Sequence, residues 1–292
     1  MGRNEIKMLE ETLEFCKSGF YRSQSSMQKL RLDSQQQCQV YYYSPEALQA
    51  IRDYPDTEGE NKNRETIYSC ENTDSFSMAE KVLAEARTSM GEAQPRVLVL
   101  NFANAFHPGG GVRYGAMAQE EDLCRKSSLL RSLESEEARP FYHYHGALGS
   151  RLASDAILLS PSVEIIRDRN GSLLPETKVV SVMTCAAPDI NGGLEGLTRQ
   201  QYEALFYHRI QSMLYCAAYN RYEYLVLGAF GCGAFSNDAH LVSDLFAKAL
   251  REFSWGGRRE KDFFSRVDFA VLSRGDSYNF REFYRNFSGT DR

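Results

Sequence analysis

Long apolar runs are missing from this sequence. No stretch of its 292 residues approaches the apolar length needed to cross a bilayer, and the first thirty residues, charged throughout, hold no apolar core of the kind a secretory signal requires. Cysteine pairs are missing as well. The seven cysteines stand at 16, 38, 70, 124, 185, 216 and 232, widely spaced, never as C-x-x-C and never beside a histidine pair, which argues against structural zinc and for reduced thiols in the cytoplasm. An excess of one charge is also lacking. A net charge of −5 leaves no basic surplus to displace counterions, so duplex nucleic acid is not expected as the main partner, nor is a membrane. With no Pro- or Ser-rich linker and no internal repeat, the chain reads as one unit long enough to bury a substantial core.

What is present is an alternation of strand and helix patterns. Asn4 is placed to cap a first helix with Ile6, Leu9, Leu13 and Cys16 on one face, ended by Gly19. "QVYYYS" (39–44) and "TIYSC" (66–70) read as strands around the polar loop "DTEGENKNRE", and "NTDSFSMAEKVLAEARTSMG" follows as a capped helix. "RVLVLNFAN" is apolar without alternation, the mark of a central strand covered on both faces. "AQEEDLCRKSSLLRSLESEEA" reads as one helix. Strands "AILLSPSVEIIRD" and "KVVSVMTCAAP", a helix from about Thr198 to Asn220, the strand "EYLVLGAF", the helix "DAHLVSDLFAKALREF", the strand "RVDFAVLS" and the helix "YNFREFYRNF" complete the chain. A single sheet with helices on both faces is the natural assembly.

Two glycine-bearing loops follow strands, where open α/β sheets place their ligands. In "GAFGCGAF" (228–235), Gly228, Gly231 and Gly233 lie between an apolar strand and a helix. Such a loop presents backbone N–H groups to an anion such as a diphosphate, although a plain tight turn is the simpler reading in isolation. In "NFANAFHPGGGVRYGAMAQEEDL" (101–123) three glycines precede Glu120 and Glu121. Carboxylates here fit glycosidic acid–base chemistry, or a solvated helix start complementing the helix dipole. His143 and His145 in "FYHYHGAL" look like alternating strand or loop neighbours and lack a third ligand, so a surface or structural pair is expected there rather than a metal. Cys232 is either a thiolate stabilised near a helix start or a small residue that lets a ligand approach. Phe230 and Phe235 flank the loop glycines, suited equally to stacking on a base or ribose and to core packing.

Together these segments resemble the bacterial-type (microbial) poly(ADP-ribose) glycohydrolases, whose signature is three glycines, six to eight residues, and Gln-Glu-Glu. Here Gly109, Gly110 and Gly111 are followed by "VRYGAMA" and then Gln119, Glu120 and Glu121. "LEETLEFCKSGFY", "SPSVEIIRDRNGSLL", "SVMTCAAPDIN" and "LGAFGCGAFSND" look like further blocks of the family in the same order, so the likeness spans about residues 4 to 287. The segments at 41–65 and 139–156 depart from it.

The resemblance implies a three-layer α/β/α macrodomain-like fold with a mixed central sheet, a single domain over 1–292 with residues 1–65 as an N-terminal helical extension packed on it, and a monomer. It implies cleavage of ribose–ribose O-glycosidic bonds in poly(ADP-ribose) without a metal or cofactor. Glu121 would be the catalytic acid, kept protonated in a partly enclosed site, and Glu120 would hold the hydroxyls of the attacked ribose. Asn101 would bind the same ribose, Gly109 to Gly111 would let the backbone press against it, and Gln119 would support the glutamates. Gly231, Cys232, Gly233 and Ala234 would cradle the diphosphate, and Phe230 or Phe235 would pack on ribose or adenine. Asp74 and Phe280 are further candidates for the adenine end. Partners would be ADP-ribose polymer or ADP-ribosylated protein, and the same site would also suit a mono-ADP-ribosyl-acceptor hydrolase or a non-catalytic reader.

Overall fold

A computed structural model describes residues 2–24, 26–31, 38–53, 65–90, 95–273 and 278–288. Helix α1 (Gly2–Ser18) leads into a small hairpin of β1 (Phe20–Arg22) and β2 (Met27–Lys29). Then follow β3 (Gln39–Tyr41), α2 (Pro45–Asp53), β4 (Ile67–Glu71), α3 (Ser75–Met90) and β5 (Val97–Phe102). A short 3-10 turn, Val112–Tyr114, precedes α4 (Gln119–Lys126), α5 (Leu129–Leu133) and α6 (Arg139–Leu148). The second half comprises β6 (Ile157–Arg167), β7 (Leu173–Cys185), α7 (Arg199–Tyr219), β8 (Tyr224–Leu227) and α8 (Ala239–Glu252). A two-residue-strand hairpin, β9 (Ser254–Trp255) with β10 (Arg258–Arg259), α9 (Glu260–Phe263), β11 (Arg266–Ala270) and α10 (Tyr278–Phe287) end the fold.

Seven strands form one mixed sheet in the order β3-β6-β7-β5-β8-β11-β4, parallel from β7 to β4 and antiparallel at β6 and β3. Strand pleating sends alternate residues to opposite faces. Leu98 and Leu100 therefore enter the core covered by α7, α8 and α10, while Val97 and Val99 enter the core covered by α3, α4 and α5. Burial on both faces is why β5 carries no polar alternation. The result is the three-layer α/β/α arrangement around a mixed sheet. On its second face α1 packs against α4, and Thr12 Oγ1 donates to the Arg125 carbonyl at 2.7 Å.

Several local expectations are corrected. The helix expected from Ala118 onward is two helices: Ser127 is extended (φ −147°, ψ 178°) and bridges Ile165 of β6. Its hydroxyl donates to Leu123 O and accepts from Leu129 N, so the side chain serves both helix ends where the backbone breaks. Asn4 lies inside α1, which begins at Gly2. "FYHYHGAL" is helical, with Pro140 in its first turn and Gly149 ending it at φ +64°. His143 is exposed. His145 is buried, its Nδ1 at 2.9 Å from Phe141 O and its Nε2 at 2.9 Å from Ser154 Oγ, so both ring nitrogens have protein partners. The α2 helix and the β9–β10 hairpin were not anticipated. The polar loop "DTEGENKNRE" lies, but for Glu65, outside the described residues.

Candidate active site

The neighbouring parallel strands β5 and β8 carry both glycine loops at their carboxyl ends, so residues 103–118 and 228–238 start from the same edge of the sheet. Gln119 brings α4 back to this edge. Its Oε1 accepts from Phe102 N at 2.9 Å, and its Nε2 donates to Leu100 O at 2.7 Å and to Ser75 Oγ at 3.0 Å. The side-chain amide thus stands in for a missing strand partner at the end of β5 and fixes the start of the helix that bears the glutamates.

Glu120 and Glu121 are buried, at 2% and 7% exposure, which removes the reading of a solvated acidic helix start. Glu120 is held at both oxygens: Oε1 accepts from Asn101 Nδ2 at 3.1 Å and Oε2 from Asn104 N at 2.8 Å. Burial pushes its carboxyl up to about 8, against the pull of the Asn104 N–H and the Asn101 amide. Glu121 is held at one oxygen only. Its Oε1 accepts from Gly111 N at 2.9 Å, while Oε2 is buried with no hydrogen-bond partner among the described residues.

Asn101, at the end of β5, is fully buried. It also donates from Nδ2 to Thr184 Oγ1 at 3.2 Å, and its Oδ1 has no partner among the described residues. Two acceptor oxygens, one on Glu121 and one on Asn101, are thus buried and unused around one carboxylate pair, an arrangement that asks for a donor from outside the protein.

The three glycines divide their work. Gly110, at φ +56°, faces the carboxylates: a methyl there would lie 2.5 Å from Glu121 Oε1 and 3.1 Å from Glu120 Oε2. At Gly109 a methyl would strike Leu130 Cδ1 at 2.7 Å, and at Gly111 it would strike Ala116 Cβ at 2.8 Å. The missing side chains of Gly109 and Gly111 therefore serve close packing within the protein.

In the second loop, Phe230 and Cys232 direct their N–H groups to Gly228 O and Ala229 O, whereas those of Gly231, Gly233, Ala234 and Phe235 donate to no group among the described residues. Gly231 has φ +73°, and Gly233 opens onto free space. Such a run of unengaged N–H groups can receive an anion. Cys232 is half-buried and burial pushes its thiol well up, which removes the thiolate reading. Phe235 is half-buried against the core. Phe230 is a correction: its ring is fully buried, edge to face with Phe102 and Phe206 at 5.8 Å each, so core packing claims it and no ligand can stack there. Asp74 spends its carboxylate on Ser77 N and Oγ at the start of α3. Phe280 lies at the start of α10, its ring 5.4 Å from Tyr284.

Sequence reasoning missed Asn104, Thr184 and Asn237. Asn104 had a local signal, since its Oδ1 accepts from Phe106 N and His107 N as an Asx turn. Thr184 had none, because its partner Asn101 is distant in the chain, and Asn237 is fixed by the distant Tyr202 and Pro188 as well as by Gly231 of its own loop.

Among the described residues no helix is long and apolar enough to cross a membrane, and no cluster of three or more His, Cys, Asp or Glu is placed to hold a metal ion. Residues 9–168 match the family described as microbial-type PARG, catalytic domain. Similar solved structures include the poly(ADP-ribose) glycohydrolase of Thermomonospora curvata, at 30% identity and a TM-score of 0.83, covering 97% of this chain and 99% of that one. The same enzyme bound to the inhibitor ADP-HPD matches with identical coverage and identity at a TM-score of 0.80. The Deinococcus radiodurans poly(ADP-ribose) glycohydrolase in complex with ADP-ribose matches at 31% identity and 0.72, over 87% of this chain and 95% of that one. Comparison with curated proteins gave no match. With the Gly-Gly-Gly and Gln-Glu-Glu elements folded against each other and likeness over nearly the whole length, the chain belongs to the microbial-type poly(ADP-ribose) glycohydrolase family.

Proposed function

We propose that this protein hydrolyses the ribose–ribose O-glycosidic bonds of poly(ADP-ribose), releasing ADP-ribose, with Glu121 as the general acid and base. The observation that carries the assignment is the asymmetry of the glutamate pair. Glu120 has both oxygens bound by protein donors, as suits a group that holds, whereas Glu121 is tethered through Oε1 and keeps Oε2 free, as suits a group that transfers a proton. The relatives' bound ligands, ADP-ribose in one and ADP-HPD in another, support a site for this class of substrate.

In the reaction, Glu121 gives its proton to the oxygen linking the two riboses. The bond from the anomeric carbon to that oxygen breaks with its electron pair leaving on the oxygen, and an oxocarbenium-like ribose results. The diphosphate of the same ADP-ribose unit, seated on the N–H groups of Gly231, Gly233 and Ala234 and not on that of Cys232, which Ala229 O takes at 3.1 Å, places negative charge near that centre. The Glu121 carboxylate then takes a proton from water as its oxygen bonds to the anomeric carbon, which restores the acid. Glu120 and Asn101 hold the ribose hydroxyls, Gly110 gives the sugar close access to the carboxylates, and Phe235 offers an apolar edge beside the cradle.

Glu121→Gln keeps the shape of the side chain and removes its acidity. Release of ADP-ribose should fall by a factor on the order of 100 to 10,000 while ADP-ribose still binds. An undiminished rate on polymer would sink the assignment. Parallel assays on polymer and on an acceptor carrying a single ADP-ribose assign the preferred substrate.

A further inference from the structure

An anion cradle made of peptide groups works only while its N–H groups, and not its carbonyls, face the ligand. A loop containing Gly231 and Gly233 has little intrinsic resistance to a peptide flip that would present a carbonyl dipole to the diphosphate. Yet every carbonyl from Gly231 to Phe235 is engaged by a donor. Gly231 O accepts from Asn237 N at 3.1 Å and from Asn237 Nδ2 at 2.8 Å, Gly233 O from Ser236 N at 3.1 Å, and Phe235 O from Ile190 N at 3.2 Å. Ala234 O accepts from Asn191 Nδ2 at 2.6 Å, and Cys232 O from Asn279 Nδ2 at 3.2 Å.

Three of these donors are asparagine amides from three separate segments: the end of the loop itself, the turn after β7, and the first turn of α10. The orientation of two of them is set by further partners. Asn237, 4% exposed, also donates from Nδ2 to Pro188 O at 2.8 Å, and its Oδ1 accepts from Tyr202 Oη at 2.6 Å. Asn191 also donates from Nδ2 to Asp189 Oδ1 at 2.8 Å, and its Oδ1 accepts from Ser236 Oγ at 2.7 Å. Turning either amide over would set its oxygen against two acceptors, Pro188 O and Gly231 O for Asn237, and Asp189 Oδ1 and Ala234 O for Asn191.

We infer that Asn237, Asn191 and Asn279 are positioning residues that tie back the loop carbonyls and hold the N–H groups of Gly231, Gly233 and Ala234 toward the diphosphate of an ADP-ribose unit. This rests on the reading of the loop as the diphosphate cradle. The ordering cost of the loop is met on folding, so it is not charged against ligand binding. None of the three touches Glu121. Loosening them weakens capture of the diphosphate more than it slows bond cleavage.

The test uses Asn191→Ala and Asn279→Ala, singly and together, with Asn237→Asp, which keeps the shape but cannot donate to Gly231 O. Titration calorimetry with ADP-ribose should show Kd rising by a factor on the order of three to ten for each alanine variant, and further for the pair. KM for polymer should rise in step while kcat is largely kept and the melting temperature of the alanine variants is unchanged. The melting temperature of Asn237→Asp is read alongside, since that residue is buried; the two alanine variants, at more open positions, carry the test if it misfolds. The inference is overturned if the Asn191→Ala/Asn279→Ala pair binds ADP-ribose as tightly as the unaltered protein, or if kcat and melting temperature fall together with no rise in Kd. Amide resonances of Gly231, Gly233, Ala234 and Phe235, followed as ADP-ribose is added to the unaltered protein, separate the two layers. If they stay still, the cradle reading falls and takes the positioning role with it. If they shift while the variants bind normally, only the positioning role falls.

Discussion

Gly110 leaves no room for a side chain in front of Glu121: a methyl on its Cα would stand 2.5 Å from Glu121 Oε1, well inside van der Waals contact. Backbone and acid are therefore fitted to one another, and the position also has φ +56°, a conformation that L side chains adopt at a cost. Gly110→Ala should displace the carboxylate and lower kcat by a factor on the order of 100, with a stability loss of about 1–3 kcal/mol. Steady-state kinetics and thermal melting check this; wild-type kcat in the variant would show that the loop yields without moving Glu121.

Glu120 should make stability depend on pH. Its carboxyl is raised to about 8 in the folded state, so between its unfolded value and 8 the native protein holds a proton that the unfolded chain has lost. Stability from this group is therefore full at low pH and declines as pH rises through that window, with no further change above about 8. Glu120→Gln removes the dependence. The melting temperature of the variant, taken relative to the unaltered protein, should move in the variant's favour from about pH 5 to about pH 8. A difference that stays constant over that range would mean that Glu120 is ionised throughout.

Gln119→Ala removes two hydrogen bonds to the end of β5 and one to Ser75 Oγ, and leaves Phe102 N and Leu100 O without their side-chain partner. A loss of about 2–4 kcal/mol in unfolding free energy is expected from denaturant titration, with a fall in kcat because the start of α4 is no longer fixed. A variant that loses stability but keeps full kcat would show that α4 is placed by its other contacts.

Phe230→Leu tests the withdrawal of that ring into the core. With its ring buried between Phe102 and Phe206, the substitution should cost on the order of 1–3 kcal/mol in stability and leave ADP-ribose affinity near its original value, measured well below the melting temperature. A large rise in Kd without a change in melting temperature would restore a ligand-stacking role.

Much of the layout was legible because it depends on local pattern. The apolar run of β5, the helix expected from about Thr198 to Asn220 and found as α7, and the glycine loops after β5 and β8 all follow from residues close in sequence. Where the reading failed, a distant contact had overridden the local signal. Ser127 sits in a helical pattern and is extended because it bridges Ile165, and the histidine-bearing segment takes its helical form with His145 anchored on Ser154.

By itself the sequence determined that glycines and carboxylates share one strand-to-helix connection, and that a second glycine loop follows another buried strand. Only the tertiary structure decided which glutamate oxygen is left free, which glycine faces it and which phenylalanine is withdrawn into the core. Neighbouring residues on a helix point about 100° apart, so Glu120 and Glu121 cannot converge through helix geometry alone. They converge because the loop from Asn104 to Gly111 folds over the start of α4, donating its Asn104 and Gly111 N–H groups to one carboxylate each. In the same way Phe230 and Phe235 flank the same glycines in sequence, and it is Phe102 of β5 together with Phe206 of α7 that encloses the first ring completely, while the second stays half-buried.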